Sequence, residues 1–242
     1  MKNQSPFERE LYNEVQKISK ESDERASVSY ISRELNISRD WARNIFKEME
    51  RKGEGYRPGV LRQVIKHRYA AWCASTAAKS PRCRFAVKEG VEIIESSKSL
   101  VYFSHNWRVP FKVADFDLLH RNVRETLIKK AETIGITGFT HGVAAKLINV
   151  YLKTLHIVPI LAMYEQLPEK QQEKLNIFHP PIDGQLLKSL IKKNVGGKKE
   201  EWKKLHPWTE MDSKKYEKAI SLIREVTEDK MWSVECHWIG YR

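Results

Sequence analysis

The chain has 242 residues, with 43 Lys and Arg against 31 Asp and Glu, a formal net charge of +12 and a pI near 9.5. This cationic excess asks for a polyanionic partner, most simply nucleic acid. No apolar run is expected to reach bilayer-spanning length, and residues 1–5 carry no leader-like apolar core, which speaks against a membrane protein and for a cytoplasmic one, nucleoid-associated if prokaryotic.

Three cysteines, Cys73, Cys83 and Cys236, form no CxxC pair and no cluster of zinc-finger spacing. They read as reduced, mostly buried thiols, and no metal, iron–sulfur cluster or other cofactor is expected.

Taken in order, residues 6–20 place Phe7, Leu11, Val15 and Ile18 at helical spacing. Ser27 is placed to cap a helix over 28–35. Ile31, Leu35, Ile37, Ala42 and Ile45 then follow the apolar pattern of a helix-turn-helix, with Asn36 at the turn, where a left-handed backbone is needed. Ser38 or Asp40 caps the next helix, which stops at Gly53. Arg39, Trp41, Arg43, Asn44 and Lys47 lie near its start or on its outer side, where such a helix meets bases and phosphates of double-stranded DNA. The same geometry also serves plain three-helix packing.

The Gly- and Pro-containing stretch 53–59 is the expected boundary between a helix-turn-helix module over 1–55 and a second domain over 56–242. Beyond it the pattern is helical almost throughout, so the fold class is all-α. Helices are expected over 60–78, with an alanine-rich end, over 83–96, and over 115–132, with Phe116, Leu119, Val123 and Leu127 inward and Arg121, Arg124, Lys129 and Lys130 outward. Val158-Pro159-Ile160 breaks a later helix, the polar run 168–174 reads as a solvated loop or helix end, and 192–199 as a basic turn. Two more helices follow, over 200–205 and 213–227. The closing stretch 231–240 packs onto the body through Trp232 and Trp238, on one helical face or on a strand.

The stretch 136–190 is the most informative. Ile136-Thr137-Gly138-Phe139-Thr140-His141-Gly142-Val143-Ala144 reads as a helix, a tight turn and a second helix, with Gly138 and Gly142 bracketing the turn. Glycine there permits positive φ and the close approach of another backbone, such as a phosphodiester, and a helix N-terminus suits an anion. Downstream, Pro180-Pro181-Ile182-Asp183 precedes the apolar-periodic Leu186, Leu187 and Leu190, so Asp183 is an N-cap.

This pair of elements resembles the helix-hairpin-helix DNA glycosylase superfamily. Residues 136–140 stand where that family has L-P-G-V-G, and Pro181-Ile182-Asp183 stands where it has P-V-D; Thr137 replaces the hairpin proline and Thr140 the second glycine. The resemblance covers about a quarter of the chain. It implies a DNA N-glycosylase, and the likeness to 8-oxoguanine-type members implies a modified purine. Gly138, Thr140, His141 and Gly142 would then meet the DNA backbone, and Asp183 would be the essential carboxylate that stabilises an oxocarbenium-like transition state or activates the attacking group. Gly142 aligns with the nucleophile of the lysine-using members. Lys146, one turn further on the same face, is the candidate for Schiff-base chemistry with strand cleavage. A flipped base needs an aromatic wall, for which Phe139, Trp107, Trp202 and Trp208 are candidates, and His179 flanks the Asp183 element.

Each of these has a plainer alternative. Asp183 is also an ordinary cap, Lys146 also a solvated lysine, the histidines local hydrogen-bonders and the aromatics core. Two function classes follow. One is a DNA repair glycosylase with an N-terminal module that grips DNA and no obligatory protein partner. The other is a non-enzymatic helix-turn-helix regulator whose helical domain dimerises or senses a ligand. An RNA-binding helical protein is a third, more distant, reading.

Overall fold

The computed structural model describes residues 12–13, 31–33, 37–51, 60–101 and 112–240. Among them the chain is helical, with no strand and a single isolated bridge between Ser80 and Cys83. The fold class is therefore all-α. The chain divides into two compact units, Met1–Tyr69 with Glu95–Val109, and Ala70–Ile94 with Pro110–Arg242. Of the helix expected over 6–20 only residues 12–13 are described, and both are helical; Asn36 at the expected turn and the boundary at 53–59 lie outside the described residues.

In the first unit, α1 (Arg39–Arg51) starts where Ser38 Oγ accepts the Trp41 N–H at 3.0 Å, satisfying an otherwise orphaned donor. Trp41, Ala42, Asn44 and Ile45 form its buried side, and Arg39 and Arg43 are exposed. The outward placement expected for Trp41 and Asn44 is thus corrected: both fall on the apolar stripe of the helix. Asn44 is fully buried, and among the described residues neither polar atom of its side chain has a hydrogen-bond partner. Arg43 pairs with Asp40 at 2.6 Å at the surface, and Lys47 is half-buried.

α2 (Val60–Ala77) and α3 (Val87–Ser96) each run across the division between units. On the second-unit side Ala70, Ala71, Ala74 and Ala78 are buried, and a Cβ at Gly90 would lie 2.4 Å from Ser75 Oγ, so small residues let the two helices approach closely. α3 begins at Val87 rather than near residue 83, because the Ser80–Cys83 bridge and its turn occupy the preceding residues.

The second unit is built on α5 (His141–Leu152). Residues 142–149 of this helix are buried without a break, so it is a central helix rather than an amphipathic surface one. Thr140 caps it, accepting from Val143 N. α4 (Val113–Thr133) and α9 (Ser213–Thr227) pack against it. Beyond α5 the chain passes into a π turn, Lys153–Ile157, and a 3-10 helix, Val158–Gln166. Pro159 lacks the N–H that a continuing α-helix would use, so the pitch changes where a break was expected. The continuous run His141–Gln166 is long and apolar enough by composition to cross a bilayer, which corrects the expectation that no stretch is; its first half is this central helix.

α6 (Glu169–Asn176) forms from the polar run read as a solvated loop or helix end. α7 (Gly184–Lys193) follows Asp183, and α8 (Lys199–Lys204) packs on it. The tail forms a 3-10 helix, Met231–His237, against α9 and α7. Cys83 is buried, Cys73 half-buried and Cys236 exposed, so the burial expected of the thiols does not extend to Cys236.

Candidate active site

The hairpin keeps one of its two expected properties. Gly138 has φ +71°, the left-handed conformation that a side chain resists. The close approach that its missing side chain permits is made by the chain itself: a Cβ there would lie 2.3 Å from the Arg82 carbonyl oxygen. At Gly142 the visitor is again backbone, with the Trp208 carbonyl oxygen 1.9 Å from a built Cβ. Gly142 N–H donates to Met211 O at 3.1 Å, and Thr140 Oγ1 donates to Thr209 O at 3.0 Å. The segment Trp208–Met211 therefore covers the N-terminus of α5. The space beside Gly138 and Gly142 and the donors of Thr140 and Gly142 are thus taken within the protein. Gly142→Ala is expected to cost about 1–3 kcal/mol, as overpacking against rigid backbone does, and chemical denaturation measures it.

Lys146 and Asp183 are 37 residues apart in sequence and meet at 3.3 Å, Nζ to Oδ2. Their side chains are 11% and 15% exposed, so the pair is largely shielded from water yet open at one edge. Asp183 is the N-cap of α7. Its Oδ1 accepts from Gln185 N at 3.0 Å and Leu186 N at 2.9 Å, leaving Oδ2 for Lys146. Trp238 reaches Oδ2 from the tail, donating Nε1–H at 3.1 Å. On the other side, the Lys146 ammonium lies 4.6 Å from the Trp208 ring centroid, a cation–π contact. The pair thus sits between a buried indole and a partly exposed one. Burial lowers the Lys146 pKa below the ordinary lysine value, and the Asp183 charge opposes that shift.

A second lysine–carboxylate pair adjoins the first. Lys153, two turns beyond Lys146, binds Glu235 of the tail. Burial pushes the Glu235 carboxyl up; Lys153 opposes this and the Asp183 charge adds to it.

Behind Asp183 runs a buried polar chain whose proton positions follow from one residue. Arg124 has only donors, so at 2.8 Å from its Nη1 the His120 Nδ1 must accept. Neutral His120 then donates Nε2–H to Asn149 Oδ1 at 2.8 Å. The Asn149 amide donates to Pro180 O at 2.9 Å and to Tyr216 Oη at 3.0 Å. Tyr216 donates to His179 Nδ1 at 3.0 Å, and His179 Nε2–H reaches Asp117 at 2.8 Å. Arg224 closes the chain on both oxygens of Asp117, at 2.6 and 2.8 Å. Through Asn149, α5 therefore grips the backbone three residues before Asp183.

This chain makes the protein acid-sensitive. Burial holds His179 at about 4, and drives His120 well below the ordinary histidine value. Burial works to raise Asp117, but hydrogen bonds from His179 and Arg224 outweigh it and hold Asp117 at about 2. For His179 the folded pKa is depressed, so between about pH 6.5 and 4 the unfolded chain binds more protons and stability falls as pH falls. Asp117 is also depressed, and its contribution is lost as pH falls further toward 2. Denaturation midpoints measured from pH 7 to pH 4 are expected to decline, with a shallower slope in His179→Gln.

The remaining expected site residues are distributed as follows. His141 accepts from Arg124 Nε at 3.4 Å at the edge of the buried chain, and its pKa is lowered by burial. Phe139 is core, packed on Phe85 with ring centroids 5.8 Å apart. Trp202 is fully buried and donates to Val195 O at 3.0 Å. Both lie in the core of the second unit. Trp208 stays at the site, and Trp107 lies outside the described residues. Arg124, expected outward, is 1% exposed and is the source of the buried chain.

Trp238, Glu235, Tyr216 and Asn149 were not read as site residues from the sequence. Asn149 and Tyr216 were legible only as polar residues on inward helix faces, and nothing local brings the tail to Asp183. Among the described residues no group of His, Cys, Asp or Glu is arranged to hold a metal ion. Two clefts, of about 710 and 580 Å3, lie at Arg224 and at the Lys153–Glu235 pair. Comparison with protein-family models, with curated proteins and with solved structures finds no match to this chain.

Proposed function

We propose that the chain is a DNA N-glycosylase that excises a modified base, an oxidised purine by its resemblance to 8-oxoguanine-type enzymes, and that it also cleaves the strand through a Schiff base. One observation carries the reading: Asp183, the carboxylate that the resemblance nominates, and Lys146, one turn beyond the position it aligns with the nucleophile, form a shielded pair at 3.3 Å. A lysine must be neutral to attack C1′, and burial favours the neutral amine, against the Asp183 charge and the Trp208 ring, which favour the ammonium. Asp183, with its carboxylate fixed by two backbone amides, is suited to stabilise positive charge developing on the sugar. The +12 charge and the exposed Arg39 and Arg43 of α1 support double-stranded DNA as the partner.

Base release from duplexes containing 8-oxoguanine or uracil, and strand cleavage at an abasic site, followed for the wild type and Lys146→Ala, test this. Release that depends on Lys146 is the expected outcome.

One observation favours the second reading, a DNA-binding regulator without catalysis: the hairpin N-terminus is closed by Trp208–Met211. Duplex binding with neither base release nor strand cleavage on any of these substrates would favour it.

A further inference from the structure

A neutral base cannot leave easily as an anion, so a glycosylase acting on one needs a proton donor as well as a nucleophile. Asp183 is built as an acceptor: two amides, the Lys146 ammonium and the Trp238 indole N–H all point at its oxygens. His179 commits Nε2–H to Asp117 and Nδ1 to Tyr216. Glu235 is differently placed. It pairs with Lys153 on the same helical run that carries Lys146, and its backbone carbonyl accepts from Trp238 N at 2.9 Å, in the residue whose indole binds Asp183. Its side chain is 20% exposed and opens on the cleft of about 580 Å3, which Ile157, Leu161, Val226, Trp232 and His237 also line. That volume and apolar lining suit a planar heterocycle.

We propose that Glu235 is the general acid of this site, giving a proton to the departing base and recovering one from the Lys146 adduct. The assignment rests on the glycosylase reading above. In the forward step the Lys146 amine forms a bond to C1′, the C1′–N bond breaks with its electron pair going to the base, and the base takes the Glu235 proton. The secondary ammonium on C1′ then returns a proton to the Glu235 carboxylate, so the acid is restored and no oxidant or reductant is needed. The charged groups acting on Glu235 are Lys153 from the α5 run and Asp183 from the cap of α7; they oppose one another. Burial and Asp183 favour the protonated form that an acid requires.

The test compares two leaving groups. Base release is measured on duplexes carrying 8-oxoguanine, a neutral base, and 7-methylguanine, a cationic base that departs without a proton. Glu235→Gln is expected to slow release of 8-oxoguanine by about 100- to 10,000-fold, with a loss on 7-methylguanine at least about tenfold smaller. Lys153→Met, which removes the charge that favours the Glu235 anion, is expected to move the alkaline limb of the pH–rate profile to higher pH. Equal losses on the two bases, release of 7-methylguanine alone by the wild type, or an unmoved limb in Lys153→Met overturns the assignment and leaves the glycosylase reading standing. Release of neither base by the wild type overturns both. Circular dichroism and duplex affinity of each variant separate misfolding from lost chemistry.

Discussion

Arg124→Met is expected to lower the stability of the protein by about 3–5 kcal/mol, the range found when one member of a buried charged cluster is removed. The guanidinium donates to His120 and Ser213, reaches Glu217 at 3.2 Å and lies 4.4 Å from the Tyr216 ring centroid. Methionine fills much of the volume but provides no donor. His120 Nδ1 then loses its partner, and the ordered run of donors through Asn149 and Tyr216 loses its origin. Each buried polar group left unpaired costs about 1–3 kcal/mol. Arg124→Lys keeps the charge but cannot serve His120, Ser213 and Glu217 together, so an intermediate loss is expected. Urea denaturation followed by circular dichroism measures both. A loss below about 1 kcal/mol in Arg124→Met would show that the chain of hydrogen bonds does not hold the second unit together.

Asp183→Asn separates structure from chemistry at the candidate site. Asparagine caps a helix about as well as aspartate, so Gln185 N and Leu186 N keep an acceptor and folding is expected to change by less than about 1 kcal/mol. The negative charge beside Lys146 is lost. If that charge stabilises the transition state, base release falls by about 100- to 1000-fold, while duplex affinity stays within a few-fold of the wild type. A regulator that uses Asp183 only as a cap has no base release to lose, and its duplex affinity would be unchanged. Single-turnover base release and a binding titration on the same duplex distinguish the two outcomes.

The helices were legible because their signals are local. The apolar spacing of 113–133 and 213–227, the cap at Asp183 and the glycine at 138 each follow from a few neighbouring residues. The tertiary assignments of polar residues were not. Arg124 sits on a helix with Arg121, and nothing in the spacing shows that one turns to solvent and the other to His120. The glycines at 138 and 142 announced that some backbone comes close, and the sequence cannot say whose; Arg82 and Trp208 supply it from distant parts of the chain. The same is true of Trp238 and Glu235, which reach the site only because the tail folds back on α7.

Borohydride trapping on an abasic duplex tests the central claim most directly. A Schiff base between Lys146 and C1′ is reduced to a stable covalent complex, so the wild type is expected to give a trapped band and Lys146→Ala none. A band of unchanged intensity in Lys146→Ala, or the absence of any band or base release from the wild type, contradicts the account.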